Sequence, residues 1–257
     1  SLAGNSFYGE EMVRMLQDLG MLQRTVDGWR LVEPPERIAL PDTIQEVVLV
    51  RVDRLKAAAR RVIEVASVIG ADVSLSLLER VADLSGVPLR EGLQHLRAAE
   101  LLYEVGPAPG QDYTFKHAVI REVVYGQVPA PRRRELHARL LDAIERTHAE
   151  RLGEHLDRLV HHASRGERWE QVLTYAQRAA ERARAQSAYR EMAAFLEQGV
   201  AALEHLPQTV PTIERAVDLR FGLRDAYNAL QEPDRVVRWL REAETLARTL
   251  SERFRLA

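Results

Sequence analysis

The pattern of apolar and polar residues changes its period at His117. Before this residue, Tyr113 and Phe115 alternate with polar residues, which is typical of a strand with one buried face. After it, valine and isoleucine recur at helical spacing through Val124 and share one face. The pattern therefore predicts a strand that passes directly into a helix at His117.

A side chain at such a junction is well placed to contact a phosphate. The free backbone N–H groups of the first helical turn and the positive end of the helix dipole gather there. Two interpretations of His117 follow from its position. It binds a phosphate, or it serves only its own junction by hydrogen bonding to a carbonyl.

The residues before this junction follow the plan of a winged-helix domain. Thr43 and Glu46 have the spacing of a capping box at a helix start. The pattern then predicts helices at Ala57–Ile69, Leu75–Leu84 and Pro88–Ala99, and strands at Leu101–Val105 and Asp112–Lys116. Three helices followed by a hairpin are the helix-turn-helix arrangement with an attached wing.

The first residues of the chain predict a helix and a hairpin. Phe7–Leu19 has an apolar face and ends at a glycine, as helices often do. Leu22–Val32 alternates around Asp27-Gly28, a dipeptide that favours a type I′ hairpin turn. Glu33–Glu36 contains two prolines and is predicted to be a linker.

From Arg132 onward the pattern is helical, with breaks near Gly166, Ser187-Ala188, Pro207–Pro211 and Pro233. Helices separated by such short turns indicate a stack of α-hairpins. Aromatic residues near helix starts resemble those of TPR repeats, at Trp169, Tyr189 and Trp239. Because these aromatic residues are unevenly spaced, they do not follow the strict 34-residue period of TPR repeats. The predicted fold class is mainly α, a winged-helix domain followed by a TPR-like α-hairpin array.

Composition excludes several classes of protein. The chain has 257 residues, a net charge of −2 and no cysteine, which excludes disulfide scaffolds, thiolate zinc sites and cysteine nucleophiles. No Gly-x-x-x-x-Gly-Lys-Ser/Thr loop occurs, so the phosphate cradle of a P-loop enzyme is missing. No long apolar run or signal sequence is present. We expect a cytoplasmic protein that is not an enzyme by itself and does not bind membranes.

Three histidines, His155, His161 and His162, are candidate metal ligands. His155 and His162 share a helix face but lie two turns apart, while His161 points elsewhere. Asp157 precedes His161 by four residues, but that pair supplies only two ligands. The sequence therefore predicts a histidine patch without a metal. Glu10 and Glu11 fit the first turn of a helix, where the helix dipole favours negative charge.

Direct DNA binding is the alternative function that the winged-helix plan raises. The third helix carries Arg90, Gln94, His95 and Arg97, and Arg132–Arg134 is the strongest basic run. The wing loop, however, contains no lysine or arginine to contact phosphates. A structural winged helix between domains is therefore favoured over a DNA reader. The aromatic residues of the helical array either line a groove or fill its core, as helical spacing more often indicates. They are Trp169, Tyr175, Tyr189, Phe195 and Trp239.

Four segments in a fixed order resemble STAND-type regulatory ATPases, the AAA-related switches of bacterial signalling proteins. Gly4–Glu11 resembles the family's Gly-Asn-Pro-Phe-Tyr-x-Glu-Glu signature, with Ser6 where the family has proline. Leu40–Ile44 is similar to its Leu-Pro-Asp-Ser/Thr-Ile segment. Tyr113–Tyr125 and Arg133–His137 resemble later landmarks, so the resemblance covers nearly the whole chain.

The resemblance implies three domains: a remnant of the ATPase helical lid at 1–39, a winged helix at 40–128 and TPR-like repeats at 129–257. It implies nucleotide contacts only in a longer parent protein, through Gly4, Asn5, Phe7 and His117. The parent would use ATP or ADP with Mg²⁺, whereas the chain alone needs no cofactor. The implied partners are an upstream ATPase core and a protein or small-molecule effector on the repeats. The implied output is a domain such as a nucleotide cyclase.

Overall fold

A computed structural model gives the fold of the chain. It describes residues 9, 12, 13, 16, 17, 21–25, 28–32, 43–106 and 112–256. The fold is mainly helical, as the sequence predicts. The chain forms two compact units, Ser1–Arg132 and Arg133–Ala257, and this division lies shortly after the predicted domain boundary at residue 128. The predicted boundaries of the three domains stay predictions.

The first unit contains the predicted N-terminal hairpin. Strands β1 (Leu22–Thr25) and β2 (Gly28–Leu31) are antiparallel, with Thr25 opposite Gly28. The Thr25 hydroxyl donates a hydrogen bond to the Gly28 carbonyl at 3.1 Å. Asp27 lies outside the described residues. Within the predicted helix Phe7–Leu19, residues 9, 12, 13, 16 and 17 are described, and all five are helical.

Four helices follow in the first unit, and their ends agree closely with the sequence pattern. They are α1 (Ile44–Asp53), α2 (Ala57–Ile69), α3 (Leu75–Val81) and α4 (Val87–Ala98). The predicted N-cap of α1 is confirmed, since the Thr43 hydroxyl accepts a hydrogen bond from the Glu46 N–H at 3.2 Å. Helix α3 ends three residues before the predicted Leu84. Asp83 there has a φ of 52°, a left-handed conformation that cannot continue a helix.

A three-stranded antiparallel sheet packs with these helices. Its strands are β3 (Asp72–Ser74), β4 (Leu102–Val105) and β5 (Asp112–Phe115), in the order β3-β5-β4. Tyr113 of β5 lies opposite Val73 of β3 and Glu104 of β4. The β4–β5 pair was predicted. Strand β3 was not, because three residues are too few to show an alternating pattern.

The core of the first unit lies between α2 and the elements around it. Apolar residues of the helices and of β4 are completely buried there. They include Ile63, Leu78, Leu89, Leu96, Leu102 and Ile120. The two inward side chains of β5, Tyr113 and Phe115, are also buried, while Thr114 between them is half-buried. The predicted alternation before His117 is therefore confirmed.

Helix α5 (Ala118–Gln127) closes the first unit, and the helix after it leads into the second. The remaining helices are α6 (Ala130–Thr147), a 3-10 segment (Ala149–His155), α7 (Leu156–Arg165), α8 (Trp169–Ala185), α9 (Tyr189–Leu203), α10 (Val210–Ala229) and α11 (Pro233–Leu256). The four predicted breaks are confirmed. The break at the 3-10 segment was not predicted, and it corrects the expectation that His155 shares a helix face with His162, because His155 precedes the first residue of α7. Pro233 itself is the first residue of α11, where a fixed φ and a missing N–H are tolerated.

Three of the turns between helices share one backbone geometry. Glu167, Ser187 and Gln231 have φ values of 54°, 56° and 59°. In each turn the next residue donates its N–H to the carbonyl five positions earlier. The donor and acceptor pairs are Arg168 with Ala163, Ala188 with Ala183, and Glu232 with Tyr227. This is the Schellman motif, which ends a helix and reverses the chain within a few residues.

Helices α9 and α10 approach closely because glycine occupies both sides of their contact. A Cβ atom on Gly222 would lie 2.9 Å from Leu196 Cδ1, and one on Gly199 would lie 3.2 Å from Leu219 Cδ1. Both leucines are buried in the same apolar cluster, together with Trp239 of α11. In the part of the second unit that the structure describes, the core therefore runs along consecutive helices.

Candidate functional site

The structure places His117 between β5 and α5, so the predicted junction is confirmed. His117 is the N-cap residue of α5, with extended backbone angles (φ −141°, ψ 142°), and its side chain makes no capping hydrogen bond. Its carbonyl accepts a hydrogen bond from the Ile120 N–H at 3.1 Å. The side chain is half-buried. The imidazole therefore lies at the start of a ten-residue helix, but it does not cap that helix.

The residue before His117 is held by an ion pair. Lys116 Nζ lies 3.2 Å from Glu100 Oε2, and the lysine side chain is only 12% exposed. Glu100 also accepts a hydrogen bond from the Tyr103 hydroxyl at 3.2 Å. The positive charge next to His117 is thus partly balanced by a carboxylate within the first unit.

The other predicted nucleotide contacts, Gly4, Asn5 and Phe7, lie outside the described residues. The same holds for Ser6, Glu10 and Glu11. A role for the four residues in nucleotide binding stays a prediction.

Several basic residues of the predicted DNA face form ion pairs within the chain. Arg97 Nη1 lies 2.6 Å from Glu104 Oε1 on β4. Of the run Arg132–Arg134, Arg132 lies 3.9 Å from Asp83, and Arg134 lies 2.8 Å from Glu167. Residues 107–111 of the wing loop lie outside the described residues. These pairs reduce the positive charge that the two segments present to a polyanion.

In the second unit the structure assembles a histidine cluster that differs from the set considered in the sequence. His161 and His162 of α7 are joined by His137 of α6. His155 is elsewhere, with its ring tilted by 38° relative to that of His148 and 4.0 Å between ring centroids. The Nδ1 atoms of His137 and His162 lie 2.9 Å apart and share a hydrogen bond. The ligand nitrogens of the three clustered rings lie within 4.8 Å of one another.

Burial keeps two of the clustered histidines uncharged. Desolvation, followed by the charges of His161 and Arg165, lowers the pKa of His137 to about 4. Desolvation, followed by the nearby His137 and His161, lowers the pKa of His162 to about 2. Both rings are therefore neutral at pH 7, so one Nδ1 donates and the other accepts in the bond between them. Neutral imidazole is also the form that binds metals.

Sequence reasoning missed His137, although the helical period marks its environment. His137 precedes Leu140 and Leu141 by three and four residues, and all three are buried on one face of α6. A histidine on an apolar face needs a polar partner, because burying an unpaired polar group is costly. The sequence could therefore indicate that His137 has a buried partner. Only the packing of α6 and α7 identifies that partner as His162.

The aromatic residues of the helical array belong mainly to its core. Trp239 and Tyr175 are buried, while Tyr189 and Phe195 are partly buried against the cluster around Leu196. The prediction that helical spacing reflects core positions is confirmed for these four. Trp169 is half-buried and stacks on the ring of His205, with 3.9 Å between ring centroids.

A groove of about 290 Å³ runs between α8, α9 and α10 in the second unit. Its floor is apolar and includes Met192, Leu196 and Leu219. Its rim carries Glu181, Asp218 and Asp225 together with Arg184. The groove therefore combines an apolar floor with a charged rim, and on that rim Asp225 pairs with Arg224 at 2.5 Å.

Comparison of the chain with protein-family models, with curated proteins and with solved structures finds no match. Among the described residues, no helix combines the length and the apolar character that crossing a membrane requires.

Proposed function

We propose that this chain is the regulatory and partner-binding region of a STAND-type signalling ATPase, and that it has no catalytic activity of its own. In the parent protein, an effector bound to the helical array would change the nucleotide state of an ATPase core. That core would then control an output domain such as a nucleotide cyclase. The proposal rests on the resemblance of four ordered segments, and on the location of His117.

The position of His117 is the observation that carries the proposal. Its imidazole lies where β5 passes into α5 and takes no part in capping that helix. A phosphate brought to this point would meet the N–H groups and the positive dipole end of the helix. A nucleotide held by His117 and by a separate ATPase core would bridge the two domains. Such a bridge favours the closed arrangement only by its difference in affinity between the closed and open states.

Within this proposal the region 40–128 is a winged helix that joins domains. Helices α2, α3 and α4 followed by β4 and β5 support that assignment. The ion pairs of Arg97 with Glu104 and of Lys116 with Glu100 favour an interdomain role. A transcriptional regulator whose winged helix binds DNA directly is the alternative, and it requires basic groups to be available to phosphates.

The region 129–257 is proposed to be a TPR-like array that binds the effector. The repeated Schellman turns after α7, α8 and α10 support a stack of helical hairpins. The groove between α8, α9 and α10 is the proposed effector site. Its apolar floor suits a peptide or small molecule with an apolar body, and its charged rim suits polar groups on that ligand.

The proposal is tested in the complete gene product by replacing His117 with alanine. We expect His117→Ala to lose ADP during purification and to raise basal output. Losing one strong or charge-assisted hydrogen bond, about 1.5–3 kcal/mol, changes a closed population by an order of magnitude or more. His95→Ala is the matched control, since it removes another half-buried histidine of the first unit, on α4.

Nucleotide content, output activity and melting temperature are measured together for the wild type and both variants. Equal ADP retention in wild type and His117→Ala would contradict the nucleotide role. A large drop in melting temperature for His117→Ala would instead favour the alternative interpretation, in which the histidine serves only its own junction. If the complete gene product has no P-loop, the proposed assignment to the STAND-type ATPases is wrong.

A further inference from the structure

We propose that His137, His161 and His162 form a binding site for a divalent transition metal, with Zn²⁺ as the best-suited ion. This inference goes beyond the proposed regulatory function and does not depend on it. The sequence predicted a histidine patch without a metal, and that patch did not include His137. The site lies between α6 and α7, entirely within the second unit.

The geometry of the three rings carries the inference. Their ligand nitrogens lie within 4.8 Å of one another, and two of them are already 2.9 Å apart. Nitrogens bound to one tetrahedral Zn²⁺, each at about 2.0–2.1 Å, are separated by about 3.3 Å. A metal can therefore replace the hydrogen bond between His137 and His162 once the distance between their two nitrogens increases slightly. Rotation of the exposed His161 ring then completes the set.

The ligand chemistry selects the class of metal. Among the described residues the cluster contains three imidazoles and no carboxylate. Imidazole suits Zn²⁺, Cu²⁺ and Ni²⁺, whereas Ca²⁺ and Mg²⁺ require oxygen ligands. Metal binding requires each of these rings to offer an unprotonated nitrogen. Three histidines with one open position are a ligand set that Zn²⁺ accepts, with water or an anion in the fourth position.

Metal binding at this site would fix α6 against α7. The 3-10 segment that connects the two helices contains Arg151, whose backbone angles (φ −130°, ψ 31°) interrupt the helical geometry. A metal bound by one residue of α6 and two of α7 holds the helices on both sides of this interruption. Since the metal binds the folded form, it should also raise the unfolding temperature of the chain.

The test uses the 257-residue chain without an affinity tag, freed of metal with a chelator. Zn²⁺ is titrated in competition with a coloured chelator, and Co²⁺ is titrated with detection of its visible absorption bands. We expect one metal per chain and the strong bands of four-coordinate Co²⁺. His161→Ala should weaken Zn²⁺ binding about tenfold or more, because the loss of a supporting partner alone typically costs 10- to 100-fold.

His161→Ala is the decisive variant because the side chain is exposed, so its removal should leave the fold intact. Circular dichroism and melting without metal verify this. His137→Gln and His162→Gln should also abolish tight binding. His155→Ala is the matched control in the same unit, and it should bind Zn²⁺ like the wild type. The proposal is overturned if the wild type binds no stoichiometric Zn²⁺. Equal affinity of His161→Ala and wild type, or an equal loss in His155→Ala, would also overturn it.

Discussion

The hydroxyl of Tyr175 on α8 donates a hydrogen bond to the carboxylate of Glu145 on α6. The same relationship recurs between Tyr227 and Glu197, again 30 residues apart in the chain, with 2.7 Å between the two oxygens. Both tyrosine rings are buried in the second unit, and their hydroxyls reach a carboxylate at the edge of the core. Each pair therefore satisfies a buried polar group and joins two helices of the array.

Replacing Tyr175 with phenylalanine should destabilise the chain by about 1.5–3 kcal/mol, because a hydrogen bond to a charged group is lost while the ring remains. The measurement is the free energy of unfolding in urea. Tyr103→Phe is the control, since the Tyr103 hydroxyl also donates to a glutamate, Glu100, but at an exposed site. We expect a loss of about 0.5 kcal/mol or less there. Equal losses in the two variants would contradict this account of the Tyr175–Glu145 bond.

Stability should also fall at alkaline pH through the same tyrosine. Burial, then the hydrogen bond and negative charge of Glu145, raise the pKa of Tyr175 above its ordinary value of 10. A group whose pKa is higher in the folded state contributes its full stabilisation at pH values below its pKa in the unfolded state. That stabilisation is lost as the pH rises through its pKa in the folded state. Above about pH 10 the loss is about 1.4 kcal/mol per pH unit for this group.

The measurement for this prediction is the urea midpoint of wild type and Tyr175→Phe over a series of alkaline pH values. The wild type should lose stability more steeply than the variant, because only the wild type carries the Tyr175 proton. Parallel profiles would show that Tyr175 does not couple ionisation to folding.

Two glycines offer a matched test of the packing in the two units. A Cβ on Gly166 would lie 2.8 Å from Ala138 N and 3.0 Å from Ala138 Cα, which are backbone atoms of α6 and cannot easily move. Gly166→Ala should therefore destabilise the chain by about 1–3 kcal/mol. A Cβ on Gly126 of α5 meets nothing within 4 Å, so Gly126→Ala should be neutral or stabilising by up to about 1 kcal/mol. Thermal unfolding of both variants shows whether each substitution raises or lowers stability. A Gly166→Ala variant as stable as the wild type would contradict the close approach of Gly166 to the backbone of α6.

The chain should neither hydrolyse ATP nor bind it tightly. The sequence contains no P-loop, and positioning of phosphates and Mg²⁺ supplies most of the catalysis of phosphoryl transfer. Calorimetric titration with ATP and ADP, with a phosphate-release assay alongside, measures both properties. Magnesium-dependent turnover that persists through repurification would contradict the proposed non-catalytic role.

Binding to DNA should be weak and nonspecific if the proposed winged helix joins domains. Fluorescence anisotropy with mixed genomic fragments, at low and at moderate salt, distinguishes nonspecific from sequence-specific binding. Binding through phosphates alone decreases steeply with salt. Sequence-specific binding that persists at moderate salt, and that Arg90→Ala weakens, would favour the DNA-binding regulator.

The sequence by itself determined the elements whose signals are local. The N-cap at Thr43, the bounds of α2 and the strand-to-helix junction at His117 follow from neighbouring residues, because capping, helical period and alternation act over a few positions. Four breaks in the helical array were equally visible, whereas the 3-10 segment Ala149–His155 was not predicted. The Schellman turns there place the non-glycine residues Glu167, Ser187 and Gln231 in the left-handed conformation, so the sequence did not indicate which residue of each turn has a positive φ.

Only the tertiary structure decided which distant residues meet. Strand β3 exists because β5 offers it a partner, and three residues alone carry no pattern. His137 could be assigned to the apolar face of α6, but its contact with His162 required the packing of α7 against that face. The Tyr175–Glu145 pair likewise spans 30 residues. Local periodicity fixes which face of a helix is buried, whereas the choice of partner depends on how whole helices pack together.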